Sequence, residues 1–186
     1  MAVQKHTTPP IVEKESGWED MDLPFNIGTG RTIYSGLEGA NRLRMRLFKV
    51  SESGHVIGRA WFGPGSDGPP GHVHGGASAY ILDELMGSTC WANDYPAVAA
   101  TIEFQLQRMT PLLVDLVLES RIVSVSSKRV KLECELKLPS GEVCVRGKGD
   151  FAILTFSKGD SLNKTLPADA KIKWKPSLKW AKEDES

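Results

Sequence analysis

From Arg129 to Leu138 the chain reads RVKLECELKL, with Val130, Leu132, Cys134, Leu136 and Leu138 on one side of an extended backbone and charged residues on the other. Strict period-two alternation describes a strand with one dry and one wet face, and hence antiparallel pairing. Looser versions of the pattern predict strands over Arg42–Val50, His55–Phe62, Ala97–Arg108, Leu112–Val123 and Glu142–Leu154. The first two are joined as a hairpin across Ser53-Gly54, and Pro139-Ser140-Gly141 turns the 129–138 strand into the last. One segment breaks the rhythm. Residues 77–92 (ASAYILDELMGSTCWA) are long, mostly apolar and free of proline, and only Asp83 and Glu84 among them carry charge, which fits a buried helix. One buried helix inserted into a run of antiparallel strands predicts an α+β domain whose sheet curls around that helix.

The flanks lack this periodicity. Residues 1–41 read as an irregular N-terminal arm, residues 42–155 as the single folded domain, and residues 156–186, with Trp174 and Trp180 among lysines, as a C-terminal extension that covers part of it. Acids and bases balance, 23 against 23 in 186 residues, so nothing calls for a nucleic-acid partner. The start, MAVQKHTTPPIVEKESGWEDMD, lacks the apolar core of a secretory signal and is too acidic for a mitochondrial presequence. No apolar run is long enough to span a membrane, and the expected location is the cytoplasm. Cys90, Cys134 and Cys144 match neither a zinc ribbon nor a CxxC pair and read as structural thiols.

Between strand and helix lies GPGSDGPPGHVHGG, residues 63–76, nine of whose fourteen positions are glycine or proline. Such a loop sacrifices backbone entropy and amide donors to hold a particular shape. Gly63-x-Gly65-x-x-Gly68 copies a dinucleotide fingerprint in letters only, because Pro69-Pro70 and six more residues separate it from the helix and no βαβ units follow. His72-x-His74 lacks further ligands at metal spacing, so no metal is expected. His72 is read as bonding local backbone; for His74 that role and a catalytic one both stand. Gly75-Gly76 carries more information, since first-turn amides have no internal partners and lie at the positive end of the helix, where they stabilise a developing oxyanion. Asp83 is the second informative residue: either a desolvated carboxylate fit to act as base or nucleophile, or the polar edge of the helix. At 1.5 Å per residue Gly76 and Asp83 are roughly 10 Å apart along the axis. One helix cannot bring both to a single reacting atom, whereas two antiparallel copies can.

PGHVHGGASAYILDELMG, with an acid seven positions after the second glycine, resembles the hotdog-fold acyl-CoA thioesterases, the superfamily of the 4-hydroxybenzoyl-CoA and phenylacetate-pathway enzymes. The likeness runs from about Gly36 through Thr101 and Pro111 to Phe156. It implies five or six strands wrapped around the central helix, a homodimer or homotetramer, an acyl-CoA substrate and no cofactor. It further implies that Gly76 offers its amide to the thioester carbonyl with Gly75 beside it, that Asp83 activates water or attacks directly, that His74 organises the loop, and that Thr101 orients water or carboxylate. The hairpin tip Ser126-Ser127-Lys128-Arg129 is where relatives touch coenzyme A, although a solvated basic tip explains it equally. Relatives carry an aromatic and an arginine just before the proline matched by Pro111. Here Gln107-Arg108-Met109-Thr110 stands instead, leaving Arg108 as the candidate phosphate contact.

Three functions are thus open: thioester hydrolysis, which needs only a polarised carbonyl and an activated water; hydration or dehydration of an enoyl-CoA, which calls for a catalytic histidine; and acyl-CoA binding without chemistry. Tyr80, Met86 and Trp91 are candidate pocket walls or plain core.

Overall fold

A computed structural model describes residues 3–21 and 42–154. The expected C-terminal extension and residues 22–41 of the arm lie outside the described residues. The elements run β1 (Trp18–Asp20), β2 (Leu43–Val50), β3 (Val56–Phe62), α1 (Gly75–Ala92), β4 (Ala97–Leu106), β5 (Asp115–Val125), β6 (Arg129–Lys137) and β7 (Val143–Ile153). All strands pair antiparallel in one sheet of order β1-β2-β3-β5-β6-β7-β4. The α+β layout is as the alternation predicts, but among the described residues the sheet has seven strands rather than five or six. The extra one comes from the arm, where Trp18–Asp20 pairs with Phe48–Val50. Trp18 stacks on Phe48 with ring centroids 5.0 Å apart. The arm is also tied down at His6, whose amide donates to the Leu113 carbonyl and whose carbonyl accepts from the Trp61 indole.

α1 is apolar on most sides because the sheet wraps it. Ile81, Leu82, Leu85, Met86 and Cys90 are fully buried among Leu116, Leu118, Leu132, Leu136, Val145 and Phe151. Each such side chain contributes about 1.5–3 kcal/mol of burial. On the helix-facing side of β7, Gly147 and Gly149 leave room for their neighbours: a Cβ on Gly147 would lie 2.5 Å from Cys134 Sγ, and one on Gly149 2.9 Å from Met86 Sδ. The three thiols are buried. Burial pushes Cys90 and Cys134 up to about 12, which keeps them protonated and inert as nucleophiles.

The helix ends are well specified. Asn93 closes the C-terminus, its side-chain amide donating to the carbonyls of Thr89 and Gly54, and Lys49 Nζ donates to the Ala92 carbonyl. Pro96 follows, as suits a helix stop. Among the described residues no helix is long and apolar enough to cross a membrane.

Candidate active site

The glycine-proline loop is fixed by backbone bonds. The His74 amide donates to the Ser66 carbonyl, Gly68 to His72, and Val73 to Thr110. The Ser66 hydroxyl donates to the Arg42 carbonyl. Two of its glycines are required: Gly71 has φ +75°, and a Cβ on Gly68 would come within 2.8 Å of His74 Cα. His72 bonds the Pro70 carbonyl through Nδ1 at 2.9 Å, the local role read from the sequence.

The loop delivers His74 as the N-cap of α1, with extended backbone (ψ 134°) and its ring accepting from the Gly76 amide. The N–H···Nδ1 distance is 3.0 Å. Gly76 was the expected oxyanion donor, and in this structure its amide is already engaged. Among the described residues no hydrogen bond uses the amide of Gly75, one residue earlier in the same turn. The first-turn donor left for a ligand is therefore Gly75. An imidazole is not among the favoured capping groups, which is why residue types alone did not show the competition. Asparagine caps with its side-chain oxygen on the same amide, whereas alanine cannot. His74→Ala should therefore lower stability by about 1 kcal/mol and His74→Asn by much less, as read by urea denaturation; equal losses would mean that the 3.0 Å contact contributes nothing.

Asp83 lies two turns along α1 and is half-buried. Desolvation raises its carboxyl above the ordinary aspartate range, and no hydrogen bond or ion pair among the described residues engages it. Its charge contributes to raising the thiol of Cys134, on the helix-facing side of β6. A carboxylate of raised pKa without a fixed partner is suited to take a proton.

The remaining candidates fall in three places. Thr101 is paired with Asp150, which itself is ion-paired with Arg129 on the outer face of the sheet. Within one chain Thr101 therefore faces away from α1, and it does not meet Asp83. The cause is a bulge: Ala99 pairs with buried Phe151, Ala100 has no partner, and the register resumes at Thr101. A bulge reverses the alternation beyond it. Lys128 and Arg129 lie at the hairpin tip, level with Val98 through Ala152. Leu106, at the other end of β4, is the residue beside the helix start. At about 3.3 Å per residue the tip is roughly 25 Å from Gly75 within one chain. Arg108 follows Leu106, near the helix start, and is paired with Glu142 at 2.7 Å.

Sequence reasoning passed over Leu106. A Cβ on Gly75 would be 3.2 Å from Leu106 Cδ1, so this leucine packs against the available donor. Among the described residues no group of three or more His, Cys, Asp or Glu side chains could hold a metal ion.

Residues 70–145 match the thioesterase superfamily. The chain is 31% identical over 70 residues to acyl-coenzyme A thioesterase THEM4 of Mus musculus, a match covering 38% of this chain and 30% of that protein. A crystal structure of a thioesterase superfamily protein is 31% identical across 59% of this chain and 53% of its own, with a TM-score of 0.56. The chain thus spans under a third of the mouse relative and about half of that structure. The smu.793 protein of Streptococcus mutans, solved bound to acetyl CoA, shares the fold at 16% identity, covering 67% of this chain and 100% of its own, with a TM-score of 0.56.

Proposed function

We propose that the protein, whose residues 70–145 match the thioesterase superfamily, hydrolyses an acyl-CoA thioester to the free acid and coenzyme A. The observation that carries this reading is the pairing, on one buried helix, of an unengaged first-turn amide at Gly75 with the desolvated carboxylate of Asp83.

Eight residues separate the two, about 12 Å along the axis, so the working site combines Gly75 of one protomer with Asp83 of a second. The two copies join antiparallel along β4. This strand forms one edge of the sheet, with Val98 and Leu106 exposed along it, while at the opposite edge β1 covers the Phe48–Val50 end of β2. A twofold at β4 also carries the second copy's Lys128–Arg129 tip towards this copy's helix start. That removes the 25 Å separation and supplies cations for the phosphates of coenzyme A beside Arg108.

In the reaction the carbonyl oxygen accepts from the Gly75 N–H, helped by the positive end of α1. Asp83 takes a proton from water as the water oxygen bonds to the carbonyl carbon. The tetrahedral intermediate re-forms its C=O, the C–S bond breaks, and the thiolate leaves to be protonated. His74, by engaging Gly76, fixes the turn that aims Gly75. This role occupies the only histidine beside the helix start among the described residues other than His72, and it favours hydrolysis over the enoyl-CoA hydration that needs a histidine base.

The test is release of free thiol from a panel of acyl-CoAs by the wild-type protein, run beside crotonyl-CoA followed for loss of its double bond. Thiol release with the enoyl group intact is the expected result. Double-bond loss without thiol release would replace the reading with a hydratase, and neither change would leave a binding protein.

A further inference from the structure

The donor at Gly75 has an apolar neighbour that defines what arrives there. Leu106 is 61% exposed and Met109 62%. Solitary exposed apolar side chains are ordinary on a protein surface and by themselves mean nothing. Leu106 differs in position, because its Cδ1 would stand 3.2 Å from a Cβ on Gly75. It pairs with buried Val145, so its side chain is on the helix side of β4, in line with Ile102 and Phe104, which pack against the core. That row is wholly apolar. The charged and amide residues of the strand, Glu103 and Gln105, alternate to the other face and bond each other there, and Arg108, two residues further on, is held by Glu142.

We propose that Leu106 is the specificity-determining residue of the acyl site, and that the site takes an uncharged apolar acyl group laid along Leu106 and Phe104 from a carbonyl held at Gly75. The inference rests on the thioesterase reading above and adds the acyl class to it. The physical reason is desolvation. A hydrocarbon chain meeting Leu106 removes water from both surfaces and from the amide they flank, which strengthens the hydrogen bond to the carbonyl. An acyl group ending in a carboxylate would lose its hydration against a wholly apolar row.

The experiment compares kcat/KM for acetyl-, hexanoyl-, octanoyl- and malonyl-CoA in the wild type, Leu106→Asn, Leu106→Ala and Ile11→Thr. Wild type is expected to prefer octanoyl- to acetyl-CoA and to be poorest with malonyl-CoA. Leu106→Asn, close to leucine in shape, should lower the octanoyl-to-acetyl ratio about tenfold, the scale of one or two methylene contacts in a pocket. Leu106→Ala should move the optimum towards longer chains. Ile11, 91% exposed on the arm and outside both the site and the β4 seam, is the control whose substitution leaves the ratio in place. If both Leu106 variants scale every substrate by one factor, or if malonyl-CoA is the best substrate, the specificity role is overturned while thioester hydrolysis stands. If the wild type releases thiol from none of the four, the parent reading fails, and this inference with it.

Discussion

Asp83→Asn is expected to reduce kcat by about 10³-fold, within the 10²–10⁴ range of a general base, and at the same time to raise the melting temperature. Both effects follow from the cost of partly burying a carboxylate that no partner neutralises. A group whose folded pKa lies above its unfolded value holds its proton more tightly in the native state. The associated stability is complete below the unfolded pKa and is lost as pH rises through the raised folded value. At neutral pH the ionised Asp83 is therefore a net burden on the fold, and the neutral amide removes it. Turnover runs the other way, since only the ionised form accepts a proton. The wild-type rate should climb with pH through an apparent pKa above the ordinary aspartate range, and this limb should vanish in Asp83→Asn. Glu84→Gln is the comparison and should cost far less. An Asp83→Asn protein that keeps its activity, or that melts lower at pH 7 with its activity gone, would separate the carboxylate from the role given to it here.

The second large effect is expected at Ala100→Pro. Ala100 is the bulge residue, with no partner on β7, and proline is tolerated at bulges and edges because it takes no ladder bond from the chain itself. It does block pairing with a second copy along the open side of β4. The variant should retain its circular dichroism and melt within a few degrees of the wild type, sediment as a monomer, and lose about 10²-fold or more in kcat, the scale set by removal of an oxyanion donor or base. A monomeric variant with full activity would show that Gly75 and Asp83 do not act across a subunit boundary. A dimer that persists would show that the contact lies elsewhere.

The parts of the fold that the sequence disclosed are those where a physical rule acts on many residues at once. Five alternating side chains on β6 specify a strand, and a long, mostly apolar segment over residues 77–92 specifies a helix buried on most sides. Rules that act through one residue stayed hidden. Three residues, Trp18–Asp20, are too few to show a period, and their strand exists only because β2 offers an edge and Phe48 a ring to stack on. Thr101 shares parity with buried Ala97, so simple counting places it on the helix side; the bulge among three small residues, Ala99-Ala100-Thr101, reverses that. Hydrophobicity contains no trace of such a slip. The site was legible in the same uneven way. Asp83 announced itself as a charge in an apolar helix, whereas the choice between the amides of Gly75 and Gly76 turns on the rotamer of His74.

The short strand β1 has a bearing on how far self-association can go. A sheet with two bare margins invites addition at both, and head-to-tail growth of that kind has no natural end. Here Trp18–Asp20 shields the Phe48–Val50 end of one margin, and the salt links of Asp20 to Lys14 and Arg46 place charge beside it. Among the described residues β4 is the margin left fully bare, so under the pairing proposed above each molecule would spend that margin on the other and strand addition would end at a pair.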